Sequence, residues 1–542
     1  MTHRRLLPVR LATLVGVALS PALASAQAPT AEPPPGPVAA ATVSPLGAAY
    51  QPPAFLATPP QLPASAEGRP PWRLELAEAL QLAVRHNLGV VLEREALHAA
   101  RLGVDAARGR FEPSLSLTYR HGDVRSPPTT SLEGQPDQFF TAVDDSVALA
   151  YQQRLPTGAT IGLAWDNGRA RSTSGSAVEP LSLRSTLGLT LTQPLLRGFS
   201  TDLAIPRLDV LRARLGSDGQ ALRLRQAIAD VTLRTETAYW DVVAALYRYQ
   251  VEARSAEVAS QHVALIARQI DAGILPPADK IAAESTLAQR QLQLVQSEHA
   301  IAQAWDGLRA VLGVPRPRWD DPILPTEVPT FAAASTTVDE AMAAALRHRP
   351  ERAQLELDLR GAELAVRGAA NDRLPQVDLG LSGQLVGQDA SASGALDQLV
   401  GADGRGWSVL LSMAWTPLAR ASSAAVEVER SRVRMARARI DQLVQEVLAE
   451  VRAAVRGQAT AGLQVAAAAR FRQLAEDSLA VEERKFLAGT SSNLAVAERQ
   501  DAVASAQLAE LAALLDYNKA RAALLHVTGE LLAARHIEVE AR

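Results

Sequence analysis

Residues 76–118 read LAEALQLAVRHNLGVVLEREALHAARLGVDAARGRFEPSLSLT, and a shift of 262 positions lands on residues 338–380, VDEAMAAALRHRPERAQLELDLRGAELAVRGAANDRLPQVDLG. Glu78 aligns with Glu340, Ala83 with Ala345, Arg85 and His86 with Arg347 and His348, and Pro113 with Pro375. A second shift, of 216, carries residues 230–313 onto 446–529 without a gap, placing Ala272-Gly273 on Ala488-Gly489 and Gly313 on Gly529. Solenoid units run about 20–50 residues, so this period marks one large duplicated unit. Each copy reads helix, strands, long helix, turn, long helix.

Within the first copy, residues 76–109 carry apolar residues at Leu76, Ala79, Leu80, Ala83 and Val84, the spacing of an amphipathic helix with a weak point at His86-Asn87. Pro113 ends it, and the alternating segments 114–119, 146–154, 159–165 and 182–192 read as strands. The second copy has matching strands at 376–385 and 407–415, divided by a Gly/Ser/Asp loop over 386–406. After Pro194 and Pro417, residues 207–270 and 423–487 run helical for about 65 residues each, a reach of ~95 Å. Second helices follow at 278–312 and 494–532. Their apolar stripes are narrow (Val231, Ala238, Val242; Val447, Val451, Val455), which suits coiled-coil packing of long helices.

The chain has no cysteine, which excludes disulfides and thiolate metal sites, and its net charge of −3 over 542 residues gives no reason to expect nucleic acid. Arg4 and Arg5, the apolar run 11–19 and Ala24-Ser25-Ala26 read as a signal peptide over residues 1–26. Residues 27–71, rich in Pro and Ala, read as a disordered tether. The first repeat spans 72–313, a linker 314–335, the second repeat 336–532, and a short tail 533–542. No later segment is apolar for the ~20 residues a spanning helix needs, so any crossing of a bilayer falls to strands.

Two short strand sets (about 114–193 and 376–415), far apart in sequence, read as contributions to one shared barrel, since a half-apolar strand pair is unstable alone. Tyr119, Phe139, Phe140, Tyr151, Trp165, Trp407 and Trp415 flank these segments, where interfacial rings would sit. Catalytic readings fail. The nine histidines form no HxxxH or HExxH pair, and the glycine-rich run 401–406 does not open a helix after a buried strand, so no enzyme activity, metal or cofactor is expected.

The two-copy order, with EALQLAVRHN and EAMAAALRHR opening each repeat, QPLLRG and TPLARA before each long helix, and the hairpin phrases DAGILPPADKIAAES and LAGTSSNLAVAERQ, resembles the TolC-like outer membrane factors, the outer membrane efflux protein family. The resemblance implies a mostly α chain whose two repeats build a trimeric α-helical tunnel through the periplasm and share one outer-membrane β-barrel. It implies a homotrimer in outer-membrane lipid, the exit duct of a tripartite efflux pump or type I secretion system. Its partners would be a periplasmic adaptor and an inner-membrane transporter. The alternative is a secreted or periplasmic coiled-coil scaffold or adhesin.

Two departures from that pattern carry expectations. The first copy has about twice as many residues between Pro113 and Pro194 as the second has between Pro375 and Pro417. Relatives with two strands per repeat make twelve in a trimer, and that count is favoured here. The surplus hairpin would otherwise raise it to eighteen or fold back as a plug. At the periplasmic entrance, Gly273 has Asp279 six positions on, but Gly489 has Ala495, leaving Glu498 and Asp501 as stand-ins for an acidic ring or as plain solvated charges. Leu487, Thr490, Ser491, Asn493 and Leu494 resemble the tip residues that meet an adaptor.

Overall fold

The computed structural model describes residues 53, 56, 60, 62–63, 70–127, 139–173, 181–273, 276–332 and 336–539, all within one compact unit, Pro45–Arg542. The expected signal peptide lies outside the described residues. The first repeat contains β1 (Trp72–Leu74), α1 (Leu76–His86), α2 (Leu88–Arg108), β2 (Ser114–Ser126), β3 (Phe140–Arg154), β4 (Thr160–Ser172), β5 (Leu181–Pro194), α3 (Leu208–Asp271) and α4 (Ala278–Leu312). The short β6 (Ile323–Pro325) lies in the linker. The second contains α5 (Val338–His348), α6 (Pro350–Asp372), β7 (Gln376–Asp389), α7 (Ala392–Gly401), β8 (Gly404–Ala414), α8 (Arg420–Leu487) and α9 (Asn493–Val527), followed by α10 (Leu531–Ala534).

The duplication sets the helix boundaries. The bounds of α1 and α5 differ by the same 262 residues at both ends, and the last residues of α3 and α8 differ by 216. Asn87 closes α1 and opens α2: its side chain accepts from the Gly89 amide at 2.9 Å and donates to the Val311 carbonyl at 2.8 Å. Arg349 occupies the same break in the second copy, with Pro350 in the first turn of α6, where a missing N–H costs nothing. Helix α9 ends at Val527, short of the expected 532, because Gly529 turns the backbone to φ +75°.

Helices α3 and α8 run 64 and 68 residues, and each folds back into a partner of 35. The core sits where these hairpins meet α1 and the linker. Tyr239, Leu246, Tyr247, Leu308 and Leu514 are all buried there. Tyr247 donates to the Leu56 carbonyl at 3.2 Å, and Leu56 itself is buried. Leu56 and Leu62 are therefore packed, not part of a free tether, because an apolar side chain in reach of the α3 groove gains more from burial than extended chain gains from freedom. The linker is likewise strapped down. β6 pairs in parallel with β1, Trp305 donates to the Ile323 carbonyl at 2.9 Å, and Asn518 donates to Thr330 at 3.0 Å. Arg535, in the expected tail, donates to the buried Glu236 at 3.0 Å.

Among the described residues the remaining strands form one six-stranded antiparallel sheet in the order β2-β3-β4-β5-β7-β8. The surplus hairpin, β3 and β4, lies inside it. The expectation of two strands per repeat, twelve in a trimer, is thereby corrected: the described residues supply six. The turn 155–158 makes this possible, with Leu155 donating to the Ala159 carbonyl at 2.7 Å and Gly158 at φ +91°. The expected 386–406 loop is also corrected. It contains α7, capped by the Ser391 hydroxyl on the Gly394 amide at 3.1 Å, and the start of β8.

Candidate channel surfaces

All five strand pairings of the large sheet have even register sums, so odd-numbered residues of every strand share one face and even-numbered residues the other. The odd face is an apolar field: Leu115, Leu117 and Tyr119 on β2, Val147, Leu149 and Tyr151 on β3, and Ile161, Leu163 and Trp165 on β4. It continues through Leu187, Leu189 and Leu191 on β5, Val377, Leu379, Leu381 and Leu385 on β7, and Trp407, Val409, Leu411 and Met413 on β8. The even face carries mostly Gly, Ala, Ser and Thr, with Arg120, Asp144, Asp166 and Asp378 among them. A soluble sheet would cover its apolar face with helices. Here the long helices leave it uncovered, and Leu117, Leu189 and Leu411 are exposed by 72%, 54% and 66%. Four of the aromatics singled out in the sequence, Tyr119, Tyr151, Trp165 and Trp407, stand on this face, while Phe140 stands on the other.

Strands β2 and β8 are the sheet's open edges. Five successive antiparallel pairings leave them running in opposite directions. The β8 edge of one copy therefore matches the β2 edge of another, antiparallel and with apolar faces aligned.

At the far end of the helices, both hairpin turns use glycine in the left-handed region, Gly273 at φ +73° and Gly489 at φ +75°. The second turn is a full Schellman motif: the Gly489 amide donates to the Phe486 carbonyl at 3.0 Å and Thr490 to Lys485 at 2.9 Å. Ser492 then caps α9, accepting from the Ala495 amide at 3.2 Å. The Ser491 hydroxyl bonds the Glu482 carboxylate and, with Lys485, holds it below the usual carboxylate range. Leu487 and Leu494 project from this tip, 86% and 67% exposed. Asn493 opens α9 in the same turn.

Asp279, Leu494 and Asp501 converge on a cavity of about 350 Å³ between the two hairpins. Asp501 is ion-paired there with Arg290 of α4. Asp501 is thus engaged within its own chain, while Glu498 is exposed and Asp279 half-buried. His262 lines the same cavity, and burial pushes its imidazole below the ordinary value. Arg290 and His262 were not singled out from sequence. Their only signal there was a charge and an imidazole at half-apolar positions of long helices.

His86 and His348, the repeated histidines, mark backbone contacts. A Cβ on Gly313 would lie 2.4 Å from the His86 carbonyl oxygen, and one on Gly529 2.8 Å from the His348 carbonyl carbon. Among the described residues no group of three His, Asp or Glu is placed to hold a metal, and no helix is long and apolar enough to cross a membrane.

Residues 341–530 match the family model described as outer membrane efflux protein. No curated protein matches the chain. Among solved structures, the outer-membrane channel OprN superposes with a TM-score of 0.62 at 18% identity, covering 90% of this chain and 99% of its own. The Campylobacter jejuni CmeC outer membrane channel gives 0.60 at 14%, covering 84% and 86%. The outer membrane protein VceC of Vibrio cholerae gives 0.59 at 15%, covering 84% and 96%. This chain has their fold along nearly its whole described length.

Proposed function

From a chain whose residues 341–530 belong to the outer membrane efflux protein family and whose fold is that of outer-membrane channels, we propose a trimeric outer-membrane exit duct of a tripartite efflux pump or type I secretion system. The observation that carries it is the two-faced sheet with two open, oppositely directed edges. Edges cannot sit in lipid, because their unpaired N–H and C=O groups find no water there. One copy's six strands fall short of the eight that just fill a barrel with side chains. Three copies of six strands give eighteen, the size at which a barrel keeps an aqueous lumen. Closing β8 onto the next copy's β2 directs the apolar odd face to lipid and the small, polar even face to the lumen.

Helices of 64 and 68 residues, ~100 Å at 1.5 Å per residue, then span an aqueous compartment below the barrel. The tips carrying Gly273, Asp279, Gly489 and Ala495 form the entrance, with Asp501 and Glu498 one or two turns above. Leu487, Thr490 and Leu494 offer an adaptor an exposed apolar and polar rim, and Ser491 and Asn493 complete the turn that presents it. Conduction asks no group to react, so energy comes from an inner-membrane transporter and not from this chain.

Reconstitution tests the reading. Protein extracted from outer membranes into mild detergent and added to a planar lipid bilayer should give discrete conductance steps. Recovery as a soluble periplasmic rod with no conductance would overturn the duct in favour of the scaffold.

A further inference from the structure

Helix α7 occupies an unusual place. It follows β7 at the loop end of the sheet, away from the long helices, yet it lies against the apolar odd face and not over the barrel mouth. It packs on β7 and β5 with Ala395 and Leu399 buried, at the level of Ser185 and Gly387. Both of those are odd-face residues paired in register, one step beyond Leu187 and Leu385. Gly387 is there because α7 presses on the strand: a Cβ would stand 1.9 Å from the Ala395 carbonyl oxygen. The helix is fixed at both ends. The Gln388 amide donates to the Gln398 side chain at 3.0 Å, and the Ser391 amide and hydroxyl donate to Asp389 at 2.8 and 2.9 Å.

The neighbouring strands show what is missing beneath it. At this level β2, β3 and β4 present Tyr119, Val147 and Asn167, whereas β5 and β7 present only Ser185 and Gly387. The helix fills that notch, and it brings two apolar side chains to the outside, Leu396 at 42% and Val400 at 83% exposure. A ten-residue helix with apolar residues toward both the sheet and the exterior does not have the pattern of a water-facing loop cover.

We propose that α7 is an interfacial helix that docks in the outer leaflet, with Leu396 and Val400 on the acyl chains just below the headgroups. This rests on the duct reading, because it needs the odd face to be the lipid face. Continuity decides the occupant: the Leu396–Val400 surface extends the same apolar field that Leu187 and Leu385 begin. Three such helices around a closed barrel would fill the apolar girdle over the Ser185–Gly387 notch, between Leu187 and Leu183 of β5.

The chain has no cysteine, so single substitutions take a single label. The full-length protein carrying Val400→Cys, and separately Leu149→Cys in the middle of the odd face, is labelled with bimane and reconstituted in phosphatidylcholine vesicles. Some vesicles carry a nitroxide high on the acyl chain, others one near its end. Both labels should be quenched several-fold by lipid nitroxide and hardly by iodide, with the Val400 site quenched more by the shallow nitroxide. If Leu149→Cys is lipid-quenched but Val400→Cys is quenched only by iodide, or by neither, the helix does not touch lipid and this inference fails alone. If neither site meets lipid and Leu149→Cys is open to iodide, the duct reading fails with it.

Discussion

Arg290 on α4 and Asp501 on α9 form an ion pair that links the two helical hairpins near their tips, the guanidinium 11% exposed and the carboxylate 48%. Removing the carboxylate leaves a nearly buried cation facing a cavity, a loss of about 1–3 kcal/mol for a charged group without its partner. Half-exposure of Asp501 lets solvent screen the pair, which favours the low end. Asp501→Ala should therefore raise amide exchange in the tip halves of α4 and α9. Arg290→Asp combined with Asp501→Arg should restore protection. Additive losses in the double variant would show that the two side chains do not act together.

Gly313 and Gly273 both lie in the left-handed region, yet they differ in surroundings. A Cβ at Gly313 meets the His86 backbone within 2.4 Å, whereas at Gly273 nothing lies within 4 Å. Gly273→Ala should cost about 1–2 kcal/mol, the conformational penalty alone. Gly313→Ala should cost clearly more, about 2–4 kcal/mol, because backbone cannot move aside cheaply. Thermal denaturation of the two variants side by side decides it, and equal losses would contradict the backbone contact.

His262 supplies a pH dependence. Burial lowers its pKa from 6.5, so the folded chain binds this proton less readily than the unfolded one. The stability contributed by the neutral ring is full above pH 6.5 and is lost as pH falls through the folded value. Arg254, Asp279, Arg290, Glu483 and Asp501 line the same cavity and will modulate the slope. Protection factors around residues 255–266, corrected for the intrinsic pH dependence of exchange, should fall between pH 7.5 and 5.5 in the natural protein and fall less in His262→Gln. An unchanged pH response in the variant would place the titrating group elsewhere.

Between β5 and α3, the Arg367 guanidinium, the Ala204 amide and the Ser200 hydroxyl hold the Asp202 carboxyl well down, at about 2. Its contribution is full well above the ordinary value of 3.8 and is lost progressively as pH falls from there through about 2. Asp202→Asn should thus weaken the protein at neutral pH and make little difference near pH 2. A variant equally weakened at both would show that charge is not what Asp202 supplies.

Much of this architecture is legible in the chain. The 262-residue shift predicts that α1 and α5 end alike, although Thr337 caps α5 with its side chain and Glu75 does not cap α1. Alternation locates every strand of the large sheet, but it ends β2 and β4 seven residues early, at 119 and 165 against 126 and 172, and starts β3 six late, at 146 against 140, because polar residues break the pattern toward the loop ends. The strand count is less secure: β3 and β4 alternate as well as their neighbours, yet likeness to two-strand repeats pulls the reading toward twelve. Helix α7 is hidden because Gly, Ser and Asp dominate residues 386–406, and its stability comes from packing on Gly387 and Ser185, which no local pattern reports. The packed linker and Leu56 are hidden for the same reason. Among the tip residues, Gly273 and Gly489 are readable from turn chemistry, but the partner of Asp501 lies 211 residues away, on another helix.

In the proposed duct, separate copies close one barrel edge to edge. Paired cysteine substitutions, one from Leu115, Leu117 or Tyr119 on β2 and one from Trp407, Val409 or Leu411 on β8, place thiols on the same face of the two open edges. After mild oxidation of outer membranes, the account predicts at least one pairing that forms disulfides between chains, giving a ladder that stops at three. Disulfides that join β2 to β8 within a single chain, or none from any pairing, would contradict it.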